Sequence, residues 1–231
     1  METNETNKAA LIALDLKDGA SMAEIRFQYV DKTSSAKFQG LFILDEKLKK
    51  EFLNYHRAYL ILLKHYADIA DDSELNSGNY QDEHYFQTYL NQGIFYVINQ
   101  EYIKAGDKFQ QAYSLNNKSH TVHLYLGYLL LKRKNYYAAE KYFKDASELH
   151  PECDDAWFYL GECYLRGGDA RKALVMYTKA RKLNPIRTDT QPRINEINLK
   201  LGNTPSSTSS EKKDSLLVRI LKKLLNKLEK K

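Results

Sequence analysis

Three kinds of residue recur in this sequence at a fixed interval of 34 positions, which constrains the fold more than any other feature. Each occurrence has a glycine, then an alanine, then an aromatic residue. The members are Gly93, Ala105 and Phe109; Gly127, Ala139 and Phe143; and Gly161, Ala173 and Tyr177. An interval of this length is typical of a supersecondary unit that buries its apolar face only against the next copy. We therefore place three stacked units at 86–119, 120–153 and 154–187.

Each unit contains two runs of apolar residues at helical spacing, which predict two helices joined by a short polar turn. The turns are residues 99–102, 133–136 and 167–170. The small glycine and alanine predict a close helix contact, with the aromatic ring filling the space beside it. Pro151 and Pro185 end the second helix of their units because proline cannot continue a helix. Residues 188–202 predict a capping helix, with Pro192 near its start and Gly202 at its end.

This pattern resembles the tetratricopeptide repeat family, most specifically in the second and third units. In the first unit, Gln92 stands where the family has leucine and Asn117 where it has proline. The resemblance implies a mainly α fold, an α-solenoid of three helix-turn-helix repeats plus the capping helix. It also implies that the first helix of each repeat lines a concave groove that holds a peptide of a partner protein.

Residues at the groove positions of the family predict what this chain would bind. The predicted partner-binding residues are Leu90, Ile94, Val97, Leu124, Tyr128, Leu131, Phe158, Glu162 and Arg166. Most are apolar, so we expect the groove to bury apolar anchors of the partner. The family members that recognise chaperone C-termini use a carboxylate clamp. None of its residue types is present at the corresponding positions, which are Leu90, Ile94, Tyr125, Asp155 and Tyr159. The alternative is that part of the groove is covered by the chain's own N-terminal helix or tail.

Three repeats with an N-terminal extension and an apolar groove are similar in architecture to the class II chaperones of bacterial type III secretion. This resemblance covers about residues 82–187 of the chain. It implies a cytosolic chaperone that holds an extended segment of an apolar translocator protein.

The N-terminal region, residues 1–80, predicts a β-hairpin followed by a helix. Apolar and polar residues alternate over 23–30, and a second apolar run covers 36–44, so we expect a hairpin at 23–44. The segment 46–70 has apolar residues at helical spacing and predicts a long helix. Residues 71–80 predict a linker to the repeats.

The C-terminal region predicts a flexible linker at 203–214 and a basic amphipathic helix at 215–231. Residues 211–231 hold eight Lys or Arg and three Asp or Glu, which accounts for the whole formal charge of +5. The predicted docking residues are Leu217, Ile220, Leu221, Lys222, Lys223, Leu224 and Lys227. This helix could dock on a protein, including its own repeats, or lie on an anionic membrane. The helix has no aromatic residues to anchor it at a membrane interface or to stack on bases, which weakens membrane docking and disfavours nucleic acid.

Residues able to support catalysis are scarce. The sequence has no phosphate-binding glycine loop and no nucleophile elbow, so we predict that the chain is not an enzyme and takes no cofactor or metal. His120 and His123 share a helix face but lack supporting metal ligands. Asp154 and Asp155 suit the N-terminal turn of a helix.

The cellular setting is also predicted. Two cysteines, Cys153 and Cys163, predict packed thiols in a reducing compartment. We expect a cytoplasmic interaction protein, peripheral to a membrane if the C-terminal helix docks there. A homodimer is a further alternative.

Overall fold

A computed structural model describes residues 2–38, 40, 45–66 and 80–202 of the 231-residue chain. These ranges form α-helices, a 3-10 turn at Ala36–Phe38 and no strand. The helices are α1 (Glu2–Ala13), α2 (Met22–Ser34), α3 (Glu46–Tyr66), α4 (Tyr80–Ile98), α5 (Tyr102–Leu115), α6 (His120–Lys132), α7 (Tyr136–Leu149), α8 (Asp154–Arg166), α9 (Ala170–Leu183) and α10 (Thr190–Lys200).

The three repeats are the helix pairs α4/α5, α6/α7 and α8/α9, so the predicted α-solenoid is confirmed. Each repeated glycine lies against the repeated aromatic ring of its own unit. A Cβ atom added at Gly127 would stand 2.9 Å from Phe143, and one added at Gly161 would stand 3.0 Å from Tyr177. The repeated alanines and rings are fully buried. Glycine suits this contact because a Cβ atom would crowd the ring.

The turns inside the repeats share a backbone conformation at equivalent positions. Gln100, Lys134 and Gly168, spaced 34 residues apart, have φ angles of 63°, 60° and 89°. A left-handed residue closes the end of a helix and reverses the chain within a few residues. Two of the three turns therefore use a non-glycine residue in a region that favours glycine.

The capping helix α10 completes the core of the last repeat. Ile197 is fully buried in the same hydrophobic core as the three repeats, and Ile194 and Leu201 pack against that core. The helix is followed by Gly202 at a φ of 69°. An end repeat without such a helix would expose its apolar side to water.

The predicted β-hairpin at 23–44 is wrong, because residues 22–34 form α2. Ser21 and Glu24 make a capping box, in which the Ser21 side chain accepts from the Glu24 N–H and Glu24 accepts from the Ser21 N–H. Ile25 and Tyr29, which fit the alternation of a strand, are four residues apart and therefore also fit one face of a helix. Both are buried on that face of α2. Phe27, which a strand would place on their side, is 64% exposed.

The N-terminal helices form a second core. Residues of α1 pack against α3, with Leu14 and Leu62 fully buried. The helix α1 has no counterpart in the sequence-based prediction, whereas α3 covers the described part of the helix expected at 46–70. None of the described helices is long and apolar enough to cross a membrane.

Several predicted elements lie outside the described residues. They are the end of the second predicted strand at 41–44, the linker at 71–79, the linker at 203–214 and the amphipathic helix at 215–231, with all of its docking residues.

Candidate functional site

The predicted groove positions of the first repeat are closed to solvent. Leu90, Ile94 and Val97 are 5%, 2% and 4% exposed, and Leu124 of the second repeat is fully buried. These four side chains belong to the hydrophobic core of the repeats, and none of them lines the pocket that opens further along the groove.

The chain's own N-terminal region covers this end of the groove. Asn91 Nδ2 of α4 donates a 2.7 Å hydrogen bond to Thr33 Oγ1 of α2. The ring of His56 on α3 lies 4.6 Å from the ring of Phe95 on α4. The hydroxyl of Tyr125 donates a 3.3 Å hydrogen bond to the carbonyl of Gly40. The alternative that the N-terminal part of the chain covers the groove therefore applies to α4 of the first repeat and to Tyr125 of the second.

The groove is open further along the stack, between the first helices of the second and third repeats and the capping helix. A pocket of about 610 Å³ lies there. Its lining residues are Tyr128, Leu131, Lys132, Lys134, Tyr136, Phe158, Tyr159, Glu162, Arg166, Asp189, Pro192, Arg193 and Glu196. This volume is in the range of small-ligand and peptide side-chain pockets, about 300–1,000 Å³.

Aromatic rings form the floor of the pocket. Tyr128 and Tyr159 meet edge to face with centroids 6.1 Å apart, and Phe158 meets Tyr159 in the same way at 5.2 Å. Edge-to-face packing fixes the rings, so the floor is preformed. Leu131 is half-buried at the side of the pocket.

Arg187 packs against two rings of this floor, Phe158 and Tyr159. Its guanidinium lies 4.0 Å from the centroid of the Phe158 ring. It makes ion pairs with Asp154, Asp155 and Asp189, at 2.9, 2.7 and 2.8 Å. Burial alone would lower the pKa of Arg187, but the charge of Asp155 and the hydrogen bonds to all three carboxylates raise it above its ordinary value. Asp154 and Asp155, interpreted above as residues of the helix N-terminus, also fix this arginine.

Glu162 is a buried carboxylate in the wall of the pocket, only 5% exposed. Its Oε1 accepts a 2.6 Å hydrogen bond from the hydroxyl of Tyr177 and lies 2.8 Å from Arg193 Nε on α10. Arg166 Nη2 is 3.4 Å from the other oxygen. Burial and the bond to Glu162 raise the pKa of Tyr177, so this group stays a donor. Glu162 thus connects the third repeat to the capping helix.

Cys153, Cys163, His120 and His123 pack against other groups of the chain. Burial raises the pKa of the Cys153 and Cys163 thiols to about 12, and neither forms a disulfide. The Nε2 of His123 lies 2.9 Å from the carbonyl oxygen of Asn117, and the His120 ring packs 4.6 Å from the ring of His150. Among the described residues, no three metal-ligating side chains come together.

The structure thus divides the predicted partner-binding residues into two sets. Tyr128, Leu131, Phe158, Glu162 and Arg166 line the open pocket, whereas the first-repeat residues and Leu124 are buried in the hydrophobic core. Sequence reasoning missed the contributions of α10 and of the turn before α7. The sequence analysis predicted α10 as a capping helix, and such a helix packs beside the last groove position. The polar residues of α10 could therefore have been predicted to line the groove, but they were assigned no role.

A family model described as tetratricopeptide repeat matches residues 124–185. Human cilia- and flagella-associated protein 70 is 31% identical over 124 residues, which are 51% of this chain and 11% of that protein. The chain therefore spans only a small part of the length of that relative.

Solved structures share the fold. A MamA structure has a TM-score of 0.51 at 21% identity and covers 79% of this chain and 85% of its own. MamA from Desulfovibrio magneticus RS-1 has a TM-score of 0.50 at 17% identity, and the match covers 86% of this chain and 98% of that structure. The Arabidopsis OM64 TPR domain has a TM-score of 0.50 at 14% identity, and the match covers 52% of this chain and 98% of that domain. At these identities the likeness concerns the fold alone.

Proposed function

The chain belongs to the tetratricopeptide-repeat family, and on this premise we propose that it is a non-catalytic protein–protein interaction module. In this proposal, the pocket between α6, α8 and α10 holds an apolar peptide segment of a partner protein. The observation that supports it is the open, aromatic-floored pocket of about 610 Å³ in a groove whose other end is filled by the chain itself.

The rings supply the binding energy in this proposal. An apolar side chain of the partner that is fully buried against Tyr128, Leu131 and Phe158 would contribute about 1.5–3 kcal/mol. The preformed floor reduces the ordering cost of binding, because Arg187 and its carboxylates already fix the rings. The N-terminal helices restrict the partner to the second half of the groove.

Photo-crosslinking tests where the partner binds. A photoreactive phenylalanine analogue replaces Leu131 in the pocket, and a matched variant carries it at Val175 on α9, which is 60% exposed and not part of the pocket. We expect a partner segment crosslinked from position 131 and not from 175. Crosslinks that are the same at both positions would contradict the proposal.

The finer role that we propose is a cytoplasmic adaptor or chaperone, with the type III secretion chaperones as one such class. A chaperone of this class would keep its partner's apolar segment from associating prematurely. Co-expression tests this role: the crosslinked partner should be soluble with the wild-type chain and aggregate with a pocket variant.

The second candidate is a scaffold attached to an anionic membrane through the basic segment 215–231. It is favoured by the separation of leucines and lysines on that segment in the sequence. Flotation with liposomes of phosphatidylcholine and phosphatidylserine compares the full chain with a chain lacking 211–231. Salt-sensitive flotation that needs the segment supports attachment, and its absence contradicts it.

A further inference from the structure

The carboxylates that line the pocket are all engaged by cations of the chain. Glu162 lies 2.8 Å from Arg193, Asp189 lies 2.8 Å from Arg187, and Glu196 lies 2.7 Å from Lys200. Each acidic group is therefore neutralised locally, and none is left to attract a cationic partner.

Two cations at the same pocket are not engaged in this way. Lys132 and Lys134, at the end of α6 and in the turn after it, are exposed and make no ion pair with any described residue. The Nζ of Lys132 lies 5.1 Å from the ring of Tyr128, so the charge is next to the aromatic floor. Arg166 occupies the equivalent repeat position in α8, and its half-exposed side chain approaches Glu162 only at 3.4 Å.

Because the carboxylates of the pocket are paired and Lys132 and Lys134 are not, we infer that the segment bound here is acidic as well as apolar. An apolar or aromatic side chain packs on Tyr128, Leu131 and Phe158, and carboxylates before or after it meet Lys132, Lys134 and Arg166. This inference rests on the proposed function and specifies the chemistry of its partner. Charge complementarity of this kind selects among partners and speeds association.

The charges also argue against two other occupants. The chain's own segment 211–231 carries a net charge of +5, the same sign as the free cations of the pocket. A nucleic acid would bring many phosphates to a pocket of about 610 Å³ where only Lys132, Lys134 and Arg166 are available to meet them. An acidic peptide carries only a few negative charges and can position them next to Lys132 and Lys134.

Selection from a random linear peptide library displayed on phage tests the inference with the full-length chain. The selection is run on wild type and on three variants. Lys132→Glu/Lys134→Glu reverses the free charges. Leu131→Gln makes the apolar side of the pocket polar. Lys141→Glu/Lys144→Glu changes two exposed lysines of α7 outside the pocket by the same total charge. Circular dichroism and thermal unfolding check that each variant is folded.

We expect wild type to enrich peptides that combine aromatic or aliphatic residues with a net negative charge. For a synthetic peptide of an enriched sequence, Lys132→Glu/Lys134→Glu should weaken binding about tenfold or more at low salt. The control pair should change it much less.

The possible failures are distinguishable. If peptides are enriched through Leu131 but are neutral or basic, or if both charge variants weaken binding equally, this inference is overturned and the proposed function survives. If no enriched peptide depends on Leu131, the proposed function fails together with the inference.

Discussion

Replacing Gly93 by alanine tests whether the repeats depend on a close contact between helix and ring. A Cβ atom at this position would stand 2.6 Å from Cδ1 and 2.8 Å from Cζ of Phe109, and still closer to Cε1. The ring is fully buried, so it cannot swing into solvent to make room. Gly106, inside α5, is the matched control, because its Cβ would meet only Leu129 Cδ1 at 3.8 Å.

The methyl group added by a glycine-to-alanine change has two opposing effects on the stability of the folded state. Alanine in place of glycine inside a helix favours the folded state by about 1 kcal/mol. Overpacking a rigid core costs about 1–3 kcal/mol. Gly93→Ala should therefore lower the free energy of unfolding by up to about 2 kcal/mol, while Gly106→Ala should raise it by roughly 0.5–1 kcal/mol. Gly161→Ala should fall between them, since its Cβ would meet Tyr177 at 3.0 Å.

Urea unfolding followed by circular dichroism measures the three differences. A fourth variant, Gly93→Ala/Phe109→Leu, identifies the cause, because a smaller residue at 109 should reduce the cost of the added methyl group. If Gly93→Ala is as stable as Gly106→Ala, or if the cost is unchanged in the Phe109→Leu background, the reasoning about the helix–ring contact is refuted.

Three further outcomes are expected. Gln100→Gly should raise the free energy of unfolding by about 0.5–1 kcal/mol in urea titrations, because it relieves a left-handed residue at a φ of 63°. Burial lowers the pKa of His56 to about 4 from 6.5. The unfolded chain therefore binds the proton first, and stability should fall by up to about 3 kcal/mol as the pH drops from 6.5 towards 4. His56→Gln should flatten that part of the pH profile. Iodoacetamide at pH 8 should label Cys153 and Cys163 only on unfolding, because their pKa values are about 12.

The repeat architecture could be predicted because its determinants are local and periodic. Gly127 and Phe143 belong to one unit, and each unit packs on its sequence neighbours, so spacing alone predicts the contact. The α2 helix was mispredicted because Ile25, Phe27 and Tyr29 suit a strand as well as a helix. The Ser21–Glu24 capping box was the signal that could have decided between the two.

The accessibility of the groove could not be predicted in the same way. Asn91 and Phe95 of α4 are in contact with Thr33 and His56, which precede them by tens of residues. No periodicity relates those segments, and only tertiary packing brings them together. The charge balance of the pocket depends on the ion pair between Arg193 of α10 and Glu162. This ion pair forms only because of the way in which α10 packs on the third repeat, which the sequence pattern does not specify.

The central claim is that the pocket between α6, α8 and α10 binds an apolar segment of a partner. The most direct test is calorimetric titration of the segment crosslinked at position 131, as a synthetic peptide, into wild type, Leu131→Gln and Val175→Gln. Because Leu131 is half-buried and would lose about 1 kcal/mol of apolar contact, the account predicts roughly fivefold weaker binding for Leu131→Gln. Val175→Gln should bind as wild type does. Equal affinity of all three proteins would contradict the account.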